Sequence, residues 1–76
     1  MEIDEIRARE LASQYYDAHP ELHVYDLNLD MEYSESDGAW GADLSIGPEE
    51  DPEIEGFILV RDDGTVYTYG LDIPPR

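Results

Sequence analysis

Tyr25-Asp26-Leu27-Asn28-Leu29-Asp30-Met31-Glu32-Tyr33 alternates without a break between apolar or aromatic side chains and polar or charged ones. Successive side chains of a β-strand point to opposite faces. The run therefore predicts a half-buried strand with Tyr25, Leu27, Leu29, Met31 and Tyr33 on one side and Asp26, Asn28, Asp30 and Glu32 on the other. Leu22 and Val24 have the opposite parity, which places a bend or bulge near Val24. Ser34-Glu35-Ser36-Asp37-Gly38 has turn composition. A second alternation follows it, with Trp40, Ala42, Leu44 and Ile46 inward and Gly41, Asp43 and Ser45 outward. The two runs read as an antiparallel hairpin.

Upstream, the period changes to that of a helix. Ala8, Leu11, Ala12, Tyr15 and Ala18 fall on one stripe, and Arg7, Glu10, Gln14 and Asp17 on the opposite side. Asp4 is a competent N-cap, Ile3 is placed to staple onto Ala8, and Pro20 disfavours helical geometry at His19. These signals predict a helix from Asp4 to Ala18. Downstream, Gly47-Pro48-Glu49-Glu50-Asp51-Pro52-Glu53 is an acidic loop whose prolines cannot sit in a central strand. Phe57-Ile58-Leu59-Val60 is a continuous apolar run. Asp62-Asp63-Gly64-Thr65 is a hairpin turn, with Asp63-Gly64 suited to positive φ. Thr65 to Tyr69 closes the second hairpin, and Gly70 to Arg76 forms a proline-ended tail. The expected fold is α+β, one N-terminal helix packed on a four-stranded antiparallel sheet made of two hairpins, within a single small acidic domain spanning residues 1–76. Such a sheet has a second face with no cover. Ile58, Val60, Tyr67 and Tyr69 leave both parities of the last two strands apolar or aromatic, so either a partner covers that face or the tail folds back.

Composition bounds the function. The 76 residues hold 20 Asp and Glu against 4 Arg, with no Lys and no Cys, for a formal net charge of -16. Phosphate binding needs cations, which excludes direct nucleic-acid binding, and anionic membrane surfaces are disfavoured for the same reason. No apolar run approaches the ~18 residues of a membrane span, and no charged-then-apolar leader opens the chain. The expectation is a cytoplasmic protein. A domain this small buries only about 60% of the surface its unfolded chain exposes, and without Cys it gains no disulfide. Carboxylate repulsion makes its stability rise with salt.

No catalytic constellation emerges. Paired carboxylates do acid-base work inside a cleft, where burial raises one pKa; here nearly all acids fall on polar faces or turns. His19 and His23 flank the helix-to-strand junction without a nucleophile, and read as junction residues rather than zinc ligands. Asp26-Leu27-Asn28-Leu29-Asp30 matches the start of a calcium loop, with Asp37 at the twelfth position. The sixth position, however, is Met31 where the sharp turn needs Gly, and a strand spreads its oxygens apart. The expectation is a non-enzyme with no cofactor and no metal.

Gly56-Phe57-Ile58-Leu59-Val60-Arg61-Asp62-Asp63-Gly64-Thr65-Val66-Tyr67-Thr68-Tyr69-Gly70 reads like the final hairpin of a bacterial group. It resembles the YrhB-like small immunity domains found beside polymorphic toxins. In that group a helix precedes a short antiparallel sheet, and the last hairpin runs apolar strand, Asp, Gly, polar-aromatic strand, Gly. The helix with Leu11, Ala12 and Tyr15 and the hairpin after Tyr25 are similar in order. The resemblance implies a binding role with no catalytic residues. The chain departs from the group in its acidity, its loop from Glu49 to Glu53 and its Trp40-Gly41 pair.

The sequence thus points to an acidic protein that inhibits or neutralises a basic protein partner. Asp26, Asp30, Glu32, Asp43, Glu49, Glu50 and Asp51 supply charge, with Trp40, Tyr67 and Tyr69 as aromatic anchors. Two alternatives rest on the same acids. Alternate residues on a strand face lie about 6.8 Å apart, close to two steps of a duplex, as in a nucleic-acid mimic that blocks a DNA-binding or phage-defence enzyme. A homodimer in a salt-adapted host carries the same charge for solubility.

Overall fold

Asp4 holds an extended conformation (φ -89°) and its carboxylate accepts the Arg7 N–H at 2.8 Å, which opens α1 (Glu5–Ala18). The computed structural model describes residues 3–71. Within them a short 3-10 helix (Pro20–Val24) and β1 (Asp26–Ser34), β2 (Ala39–Ile46), β3 (Glu53–Arg61) and β4 (Val66–Tyr69) follow the helix. The strands pair antiparallel in the order β1-β2-β3-β4, a meander with α1 on one face. The expected α+β architecture is the observed one.

Two alanines bring the helix close to the sheet. Ala8 and Ala12 are fully buried against a core of Leu22, Met31, Ala42, Leu44, Ile58 and Val60. Ala18, expected on the same stripe, is exposed. Tyr16 turns inward instead, and its hydroxyl donates to the Tyr25 carbonyl at 2.6 Å, tying the end of α1 to the start of β1. The bend expected near Val24 is the 3-10 helix, which begins on Pro20 because a proline is tolerated where no N–H is needed. It buries Leu22 and leaves Val24 exposed, which accounts for their break in parity.

Irregular pairing sets which face each side chain takes. Asn28 pairs with Asp43 and Glu32 with Gly41, so four residue steps on β1 match two on β2. The Asn28 side chain causes this locally by accepting the Asp30 N–H at 3.0 Å, an alternative to the ladder. Two extra residues preserve parity, so the acids of β1 stay together. On β3 the insertion is one residue: Gly56 opposes Leu44 and Ile54 opposes Ser45, leaving Glu55 as a bulge. Parity inverts there, which turns Ile54 out to the helix-free face.

The turn after β3 differs from the two-residue form suggested by Asp63-Gly64. Gly64 takes φ 89°, no non-glycine residue among the described ones has positive φ, and the Gly64 N–H donates to the Arg61 carbonyl at 2.9 Å while the Arg61 N–H donates to Thr65 O. This is the longer hairpin loop that closes on a left-handed glycine. Asp63 accepts the Thr65 N–H at 2.9 Å, and this bond holds its carboxyl below the ordinary value of 3.8. A depressed folded-state pKa adds stability that is present above the unfolded value and lost as pH falls through the folded one. Thermal melts of Asp63→Ala should therefore fall below wild type near neutrality and converge with it below that value. A constant gap across pH would refute the assignment.

Leu71 returns the chain to the helix side and packs on the core. A Cβ at Gly56 would meet Leu71 Cδ2 at 2.5 Å and the Tyr69 carbonyl oxygen at 2.8 Å. Because the second contact is backbone, Gly56→Ala should destabilise by about 1–3 kcal/mol, the usual range for overpacking. An unchanged unfolding midpoint would remove Leu71 from this position. The rest of the predicted tail, residues 72–76, lies outside the described residues.

Candidate functional site

The register lays out the helix-free face in cross-strand rows. Glu32, Gly41, Leu59 and Tyr67 form one row, and Asn28, Asp43, Phe57 and Tyr69 form the next. Neighbouring strands lie about 4.8 Å apart, so each row runs about 14 Å from a polar or acidic group on β1 to a tyrosine on β4. The face is graded across its strands, acidic on one side and aromatic on the other.

Two hollows follow that division. One, of about 300 Å³, lies over the small residues Ala39 and Gly41 of β2, between a wall of Asp30, Glu32 and Asp43 and a wall of Phe57 and Leu59. Gly41 keeps it open: a Cβ there would meet Leu59 Cδ2 at 3.2 Å. The second, of about 330 Å³, lies among Phe57, Leu59, Tyr67 and Tyr69, with Asp37 on its rim. Phe57 and Leu59 separate the two hollows and belong to both. At the far end of the sheet Asp26 and Glu49 line a third hollow of about 550 Å³.

The predicted site residues divide accordingly. Asp26, Asp30 and Glu32 are exposed on the helix-free face, Asp43 and Tyr67 are half-buried there, and Tyr69 is 64% exposed. Glu49 reaches the same end as Asp26, whereas Glu50 and Asp51 lie exposed in the β2–β3 loop and line none of these hollows. Trp40 does not join the group. It faces the helix side, meets Tyr33 edge-on at 5.3 Å and donates its Nε1–H to the Ile3 carbonyl at 3.3 Å. Its parity with buried Ala42 and Leu44 put it there. Phe57 and Leu59 are the residues the sequence did not single out; their signal was the two-parity apolar run, which marks a strand covered on both faces.

The arginines among the described residues contact groups other than the acids of this face. Arg7 and Arg9 pair with Glu10 at 2.9 Å and Glu5 at 3.0 Å on the exposed side of α1. Arg61 lies on the aromatic side with its guanidinium 5.1 Å from the Tyr67 ring centre. The histidines are engaged at the end of α1. His19 stacks on Tyr15 and bonds its carbonyl at 2.8 Å, while His23 packs on Tyr16 and bonds the Tyr16 carbonyl at 2.9 Å. A carbonyl only accepts, so Nδ1 of His19 and Nε2 of His23 are the donors. Among the described residues no three His, Cys, Asp or Glu are arranged to hold a metal ion, and no helix is long and apolar enough to cross a membrane.

Fold and face together define a small α+β domain with a single-helix layer and an open, graded second face. Comparison of the chain with protein-family models, curated proteins and solved structures finds no match in any of the three.

Proposed function

We propose that this protein is a non-enzymatic binding module of the cytoplasm that neutralises a basic protein partner, as an inhibitor or a YrhB-like immunity protein does. The observation that carries this reading is the coincidence, on one uncovered sheet face, of an acidic side and an aromatic side in the same cross-strand rows. The acids steer a cationic partner and the aromatics supply the contact area that resists dissociation. The edges support a face rather than an edge as the docking surface: β1 is acidic and interrupted, and β4 has four residues, both of which discourage strand addition. The aromatic side favours a protein partner over a purely charge-based imitation of nucleic acid.

Affinity capture tests this. Wild-type protein should retain a basic protein that salt displaces, and Tyr67→Ser/Tyr69→Ser should release it about 10- to 100-fold faster, the scale of losing interface anchors. Retention of no basic protein, or equal release from the variant, would overturn the reading. Competition by duplex DNA for the retained protein would instead favour the mimic.

A further inference from the structure

Resting on that reading, we infer that the partner presents an amphipathic helix, basic along one flank, which lies along β3 and β4 with its apolar stripe in the groove formed by Phe57, Leu59, Tyr67 and Tyr69. The groove is two strands wide, about 10 Å, which matches the ~10–12 Å diameter of a helix with its side chains. Its length is that of β4, four residues or about 13 Å. That accommodates between two and three helical turns at ~5.4 Å each, and hence apolar residues at i, i+3, i+4 and i+7.

Charge complementarity fixes the flank. Asp43 lies one strand from Phe57, and Glu32 two strands from Leu59, both toward β1. The opposite side of the groove is β4, the last strand of the sheet, whose residues Val66–Tyr69 carry no acid. A helix seated on the groove therefore meets Asp43 and Glu32 on its β1 side and Asp37 on the rim, with Arg61 against Tyr67, and the long aliphatic stems of Arg or Lys cross the hollow over Gly41 to reach the β1 side. A helix also suits a sheet face better than an extended segment, which needs free backbone groups at an edge; α1 covers the other face in the same two-layer manner. A second copy of this chain is disfavoured as occupant because each copy carries -16 and would bring acids against acids.

The test uses the full chain and two peptides of about 15 residues, ~22 Å as a helix. One carries Leu and Trp at i, i+3, i+4 and i+7 with Arg on a single flank; the other has the same composition scrambled. The ordered peptide should gain helicity on binding, shift the amide signals of Phe57, Leu59, Tyr67 and Tyr69, and bind at least tenfold more tightly than the scrambled one. Tyr69→Ser should weaken the ordered peptide about tenfold and leave the scrambled one unchanged. Equal binding of both peptides overturns the helix while leaving the acidic binding face intact, as does binding without gain of helicity. If neither peptide binds but captured basic protein is still lost from Tyr67→Ser/Tyr69→Ser, the helix alone is overturned. If no basic protein is retained either, both readings fall.

Discussion

Replacing Asp26, Asp30 and Glu32 together by Lys should slow association with the captured basic partner by one to two orders of magnitude in dilute buffer. Electrostatic steering raises on-rates by about 10- to 1000-fold and fades with ionic strength, so the deficit should shrink toward molar salt. The variant still carries a net charge of -10, since three reversals add 6 to -16. A loss of that size must then come from where the charge sits. Glu10, Asp17 and Glu21 provide the control: all three are exposed, belong to α1 or the 3-10 helix, and give the same net charge when reversed to Lys. Stopped-flow association should place the control near wild type. Equal slowing of both variants would make the charge a bulk property of the molecule and remove the β1 acids from the binding face.

Ile58→Ala should cost about 2–5 kcal/mol, the range for truncating a buried aliphatic side chain. Ile58 is fully buried in a central strand, opposite Ala42 on one side and Thr68 on the other. Neither neighbour is large enough to collapse into the space, which puts the expectation at the upper part of the range. Domains are stable by only about 5–15 kcal/mol, and one of this size sits low in that interval, so much of the variant should be unfolded at physiological temperature. Leu59→Ala, one residue along, removes the same number of carbon atoms from a half-buried position on the other face. Its cost should be distinctly smaller, while its effect on partner binding should be larger. Equal destabilisation in urea titrations would contradict the assignment of faces on β3.

The positions of the strands and of α1 were legible because the signals are local. Asp4 caps its own helix, and the alternation from Tyr25 to Tyr33 gives β1 both its conformation and its two faces. The candidate site was legible only in part. The acids of β1 and Asp43 occupy the open face as parity predicts, but Trp40, an anchor by residue type alone, lies on the helix side with the buried residues whose parity it shares. On β3 parity could not decide, because Phe57, Ile58, Leu59 and Val60 are all apolar; burial of Ile58 and Val60 beneath α1 decides it. Ile54 was beyond reach, since the bulge at Glu55 that turns it outward exists only in pairing with β2.

By itself the sequence determined the positions of one helix and four strands, and that its cations cannot balance its carboxylates. These are properties of nearest neighbours and of totals. Only the tertiary structure decided that the two hairpins join through β2 and β3, which apolar parity the helix covers, and that acids from the first hairpin and aromatics from the second share rows on one face. The physical reason is that covering a sheet with a single helix buries one face and leaves the other, and the choice depends on where the alanines of α1 allow the closest approach.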